Sequence, residues 1–141
     1  MSCFKVNPSY TKAPDFCRSP FRYPGGKFYA LKYILPILDA VPHTKFFEPF
    51  VGGGNIFFGK RKASINKIND ADTDLINVYK IIKEQKTYNK FREMFDNEIA
   101  SPQRHSEIKN LSPKNELELA FKIYYLNRTS YSGIINKPAW G

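Results

Sequence analysis

Cysteine is nearly absent. Cys3 and Cys17 are the only two in 141 residues, and both lie in a proline-containing leader without spacing to another Cys or to a His cluster. That pattern excludes a disulfide framework and a cysteine-based zinc site, and it suits a reducing compartment. Acid is also in short supply. Thirteen Asp plus Glu stand against 22 Lys plus Arg, giving a formal net charge of +9 and a sequence pI near 9.5. Such a balance suits a polyanionic partner, with nucleic acid the commonest. No apolar run approaches the roughly 20 residues that a membrane span needs. The N-terminus has no uninterrupted hydrophobic stretch of the signal-peptide kind, so the expectation is a cytoplasmic protein with no membrane contact. With 42% hydrophobic content over 141 residues, the chain can build one globular core or part of one.

Residues 1–20 hold Pro8, Pro14 and Pro20 and no periodicity, which predicts an irregular arm. Between 27 and 41, Tyr29, Leu31, Ile34, Leu35 and Leu38 fall near helical spacing, with Pro36 as a kink or break. The stretch 44–51, TKFFEPFV, reads as a strand, and 54–60 as a short helix that Gly59 ends. Residues 63–70 read as a second strand closing on acid. Residues 73–85 read as a helix capped by Asp72 or Thr73, with apolar Leu75, Ile76, Val78, Tyr79 and Ile82. Charged helical text follows from 86, then a Ser/Pro/His-rich loop at 101–113, and a last helix over 115–128.

Strand, glycine turn, helix, strand, acid and helix in that order make a βαβ unit. Gly52, Gly53 and Gly54 stand between the first strand and its helix, where they let a ligand approach the backbone near a helix N-terminus. A plain tight turn is the competing reading. Asp70 follows Gly52 by 18 residues, close to the roughly 20 at which an acid takes ribose hydroxyls in nucleotide-type sites. The GGGNIF spacing lacks the third glycine of a dinucleotide fingerprint, which favours another adenosine cofactor. Upstream, FRYPGGK at 21–27 combines in seven residues an aromatic face at Tyr23, a turn at Gly25 and Gly26, and a cation at Lys27. A solvated Pro-Gly turn is the alternative there.

RYPGGK, FFEPFVGGGNIFF, INDADTDLINVY and YYLNRTSYSGI, in that order and across most of residues 21–135, resemble the N-terminal half of the Dam-type DNA adenine methyltransferases. The resemblance implies an α/β, Rossmann-like fold that is incomplete here, with the start of a helical DNA-recognition region. It implies S-adenosylmethionine as cofactor and double-stranded DNA as partner. Carried over residue by residue, Tyr23, Gly25, Gly26 and Lys27 match the first cofactor motif, with Tyr where many relatives have Trp. Glu48, Pro49, Phe50, Gly52, Gly53 and Gly54 match the glycine loop, and Asp70 the ribose-binding acid. Asn127, Arg128, Tyr131 and Gly133 match the segment where the DNA-recognition hairpin begins. The carboxylate of the cofactor's methionine part is expected at the helix N-terminus near Asn55.

The family's second signature, Asp-Pro-Pro-Tyr, stacks and accepts from the flipped adenine, and no Pro-Pro pair occurs in this sequence. The expectation is therefore an N-terminal piece with no catalytic residues of its own, inactive alone, and completed by a complementary C-terminal half or by self-association. Three regions follow: the arm 1–20, a cofactor-binding half 21–85, and the start of the target-recognition region 86–141. One alternative is a non-catalytic cofactor- or DNA-binding module with Arg104, Lys109 and Lys114 on phosphates; the other is one subunit of a split methyltransferase. Neither reading calls for a metal.

Overall fold

The computed structural model of the protein describes residues 17–141. Cys3 and most of the expected arm lie outside them. The described chain divides into two compact units: residues 17–20 with Gly25–Asn69, and Phe21–Pro24 with Asp70–Gly141.

In the first unit, aromatic and β-branched residues form two short strands, β1 (Lys45–Glu48) and β2 (Ile65–Ile68). They pair in parallel, with Lys45 opposite Ile65 and Glu48 opposite Ile68. A parallel pair needs a crossover, and α2 (Asn55–Gly59) lies within it. Both strands are shorter than the apolar text suggests. At one end Pro49 and the glycines turn the chain. At the other, the Asn66 amide bonds the backbone N–H and C=O of Ala63 at 3.1 and 2.6 Å, closing a turn before β2 begins. Backbone pairing nevertheless runs on past the strands. Asn69 N–H donates to the Glu48 carbonyl and Val51 N–H to the Asn69 carbonyl, each at 2.9 Å.

Ahead of the strands, a 3₁₀ turn over Lys27–Ala30 leads into α1 (Leu31–Ala40). Pro36 stands inside α1 without ending it. Its exposed position puts the lost backbone hydrogen bond on the water side. Leu31 and Leu35, one turn apart and buried, face α2. A Cβ on Gly59 would come within 3.2 Å of Leu35, so glycine lets the two helices close.

The second unit is helical: α3 (Thr73–Lys83), α4 (Gln85–Glu93), α5 (Pro102–Asn110) and α6 (Glu116–Thr129). Asp72 caps α3, accepting from Leu75 N–H at 3.0 Å. Asn115 caps α6, accepting from Glu118 N–H at 2.9 Å. Acids in the first turn and bases in the last suit both helix dipoles. The core joins Leu75 and Val78 to Ala120, Ile123 and Leu126. Beside it is an aromatic cluster in which Tyr124 meets Phe21, Phe91 and Phe95 edge-on at 5.6–5.8 Å.

Helix α5 corrects the expected loop at 101–113. Ser101 caps it through Arg104 N–H, and Pro102 occupies the first turn, where its missing N–H costs nothing. Its apolar face is only His105 and Ile108. The Thr129 hydroxyl spends its single proton on the Tyr125 carbonyl and so accepts from His105 Nδ1, both at 2.8 Å, which ties α5 to α6. Arg104 forks onto both oxygens of Glu98 at 2.8 and 2.9 Å and reaches Glu107 at 2.9 Å.

The Arg104 hydrogen bonds hold the Glu98 carboxyl below its ordinary 4.5. A depressed acid stabilises the fold above its unfolded pKa, and that stability is lost as pH falls through the lower, folded value. Glu98→Gln should therefore cost about 1 kcal/mol at neutral pH, since Arg104 is partly solvated. The gap from wild type should close on acidification, as read by urea unfolding at several pH values.

Candidate functional site

Glu48 ends β1 and stands at the foot of the glycine turn. Gly52 and Gly54 take φ +48° and +77°, left-handed values that side chains resist. Gly54 N–H closes the turn on the Val51 carbonyl at 2.8 Å, and Ser19 Oγ donates to the Gly53 carbonyl. Helix α2 starts at Asn55 behind a glycine that offers no capping side chain. Glu48 supplies the missing acceptor from the sheet side, taking the Phe57 N–H.

This arrangement leaves one oxygen stranded. Glu48 Oε2 is buried and has no hydrogen-bond partner among the described residues, and burial is the largest influence on the carboxyl, pushing its pKa up from 4.5. The charge of Lys27, the Phe57 N–H, and the charges of Lys62 and Lys60 pull the other way. Lys60 and Lys62 are drawn onto aromatic faces, with Nζ 4.2 Å from the Phe46 ring centroid and 3.9 Å from that of Phe57. Pro49 and Phe50 flank the turn in the open, Phe50 at 81% exposure. Gly25, with open space around it, and Gly26 lead into the exposed Lys27.

Because α2 spends an N-terminal N–H on Glu48, a second carboxylate there would face the first. An ionised Oε2 is an acceptor, so the group it can take is a donor or a cation.

In the second unit, Asp70 opens the turn into α3. Its Oδ1 accepts from Asp72 N–H at 3.1 Å, and Asp72 caps the helix. Tyr23 lies within electrostatic reach of both acids. Burial first, then Asp70 and Asp72, push its hydroxyl above the ordinary 10. Tyr23 thus feels both Asp70 and Asp72, the second of which sequence reading assigns only to the cap.

The four residues expected at DNA divide into two kinds. Arg128 and Tyr131 are exposed, Tyr131 at 69%. Asn127 is 0% exposed, and its amide is committed to the backbone of Arg22 and Gly133. Gly133 is buried as well, against Arg22. For this pair the structure replaces contact with support. Arg104 is likewise held by Glu98 and Glu107, which removes it from the expected phosphate contacts. Lys109 donates to the Pro138 carbonyl at 3.1 Å, and Lys114 is exposed. Among the described residues no group of three or more His, Cys, Asp or Glu could hold a metal, and no helix is long and apolar enough to cross a membrane.

A family model described as D12 class N6 adenine-specific DNA methyltransferase matches residues 23–138. The chain is 33% identical over 134 residues to a DNA N-6-adenine-methyltransferase of Escherichia phage P1, covering 92% of this chain and 17% of that protein. It is 31% identical over 129 residues to the Type II methyltransferase M1.LlaDCHI of Lactococcus lactis subsp. cremoris, covering 82% of this chain and 42% of that one. The chain thus spans less than half the length of either relative.

A carboxyl whose folded pKa is raised favours the fold at low pH, and that contribution declines as pH rises through the folded value. Glu48→Gln keeps an acceptor for Phe57 N–H and removes the buried charge. The substitution should therefore stabilise the protein slightly at neutral pH, through the buried charge it removes. Below the carboxylate range it should make no difference. Thermal melts of both proteins across pH check this.

Proposed function

The chain belongs to the D12 class N6 adenine-specific DNA methyltransferase family, and from that membership we propose that it is the cofactor-binding part of an enzyme that moves a methyl group from S-adenosylmethionine to the exocyclic amine of adenine in double-stranded DNA. The observation that carries the reading is the unpartnered Glu48 Oε2 beside the glycine turn. The methionine part of the cofactor bears an ammonium group, which is the donor this oxygen lacks. The residues present therefore fit the group: buried acceptor, open backbone and exposed aromatic face occur together in Glu48, Gly52–Gly54 and Phe50.

When bound, S-adenosylmethionine supplies an electrophilic methyl on a sulfonium. The chain's own residues bind and orient. In the first unit, Glu48 accepts from the ammonium, Gly52, Gly53 and Gly54 let the backbone approach, and Pro49 and Phe50 set the open wall of the turn. Gly25, Gly26 and Lys27 complete the first motif, with Lys27 placed to meet the carboxylate. In the second unit, Asp70 accepts from the ribose hydroxyls and Tyr23 packs beside the nucleoside. Arg128 and Tyr131 meet DNA, the guanidinium through phosphate.

We assign residues 21–85 to the cofactor half and 86–141 to the beginning of target recognition, within a Rossmann-like sheet that continues beyond β1 and β2. Supporting that continuation, Phe47 and Ile65, alternate positions on one sheet face, are 61% and 46% exposed. Apolar side chains so placed ask for a covering layer.

The adenine amine is conjugated with its ring and attacks poorly unless acceptors take up the developing positive charge. The chain has no Asp-Pro-Pro-Tyr motif to provide them. Residues 1–141 alone should transfer no methyl group from labelled S-adenosylmethionine to DNA, and adding the C-terminal half of a relative in trans should restore transfer. In that reconstituted reaction Asp70→Ala should weaken cofactor binding by about 1.5–3 kcal/mol, the value of hydrogen bonds to a charged group. Robust transfer by the single chain, or unchanged cofactor affinity in Asp70→Ala, would overturn the corresponding assignment.

A further inference from the structure

The amide of Asn127 is used at three points. Arg22 N–H donates to Oδ1 at 3.0 Å, and Nδ2 donates to the Arg22 carbonyl at 2.7 Å and to the Gly133 carbonyl at 2.9 Å. A flipped amide would set NH₂ against N–H and oxygen against two carbonyls, so the orientation is fixed by its partners. Gly133, at φ +74°, packs directly on Arg22, and a Cβ there would lie 2.5 Å from the Arg22 carbonyl oxygen. The neighbouring Ser132 takes φ +53°, the one non-glycine residue with positive φ among those described. A strained turn of this kind persists only where its surroundings hold it.

The residues on either side of Arg22 are docked too. Phe21 is buried edge-on against Tyr79 and Tyr124 at 5.3 and 5.8 Å, and Tyr23 lies within electrostatic reach of Asp70 and Asp72. Resting on the reading above, we propose that Asn127 and Gly133 are positioning residues that bind neither DNA nor cofactor. They clasp the Arg22 peptide so that Tyr23 is held within electrostatic reach of Asp70, and they thereby fasten the first cofactor motif to the turn from which DNA recognition starts. One side chain then couples the two ligands' segments: release of Asn127 loosens Tyr23 on one side and the 130–133 turn on the other.

The test uses the whole chain and Asn127→Ala. Without any ligand, hydrogen exchange at the Arg22 amide should speed up about tenfold or more as its acceptor is lost. By NMR titration the Tyr23 hydroxyl should move back toward its ordinary value. With S-adenosylmethionine, Asn127→Ala should weaken binding by about tenfold, and in a Tyr23→Ala background the same change should have less than about a twofold effect, because its action passes through Tyr23. Gly133→Ala, whose Cβ would press on Arg22, should follow the same pattern. If Asn127→Ala fails to fold, Asn127→Asp removes the two donors, keeps the Arg22 N–H acceptor, and is read by the titration and binding arms. Unchanged exchange at Arg22 in Asn127→Ala, an unmoved Tyr23, or equal loss of affinity in both backgrounds would overturn the clasp. Failure of the wild-type chain to bind S-adenosylmethionine would sink the proposed function, while the ligand-free arms still decide the clasp.

Discussion

The glycine turn is held by backbone bonds, Gly54 N–H on the Val51 carbonyl and Val51 N–H on the Asn69 carbonyl, with the Phe57 N–H directed at Glu48. A helix that begins at a glycine has no capping side chain, and three glycines in a row give the backbone no preferred path of their own. The turn is ordered from outside. The backbone bonds of Val51 and Asn69 carry β1 past its last paired residue, Ser19 takes the Gly53 carbonyl, and Glu48 reaches back to the first turn of α2. The cost is a carboxylate that shields one oxygen from water and gives it no partner among the described residues. Two other buried side-chain atoms, His105 Nε2 and Ser130 Oγ, also lack a partner among the described residues, so what sets Glu48 apart is its place at the foot of the glycine turn.

The helical unit works on a different principle. Its aromatic residues, Phe21, Tyr79, Phe91, Phe95, Phe121 and Tyr124, interlock mostly edge-on, and that packing holds Phe21–Pro24 with α3 and α6. Polar contacts then fix the detail: Asn127 on Arg22, His105 on Thr129, Arg104 on Glu98. Each is a side chain that a composition count would place on a basic or polar surface.

Much of the local structure was legible because it is written in local chemistry. Asp72 and Asn115 precede apolar runs at helical spacing and cap the helices they announce, and the Phe-rich text before the glycines is a strand. Helix α5 was missed because its periodic signal is only His105 and Ile108, yet Ser101-Pro102, a capping residue followed by a first-turn proline, was there to be read. Among the candidate site residues, spacing brought out the glycine turn and Asp70 but could not separate Asn127 from Arg128. Adjacent residues on a helix face different ways, and which one is buried is decided by Arg22, more than a hundred positions away. The stranded oxygen of Glu48 was equally out of reach, since it depends on what α2 does to its own N-terminus.

The most direct measurement is calorimetric titration of the chain with S-adenosylmethionine in two buffers of different ionisation heat, just above the ordinary carboxylate range. Burial keeps part of Glu48 protonated in the free protein, and an ammonium beside Oε2 would favour the ionised form. Binding should therefore release protons, and the release should vanish in Glu48→Gln. Binding with no proton release, or with the same release in Glu48→Gln, would contradict the account.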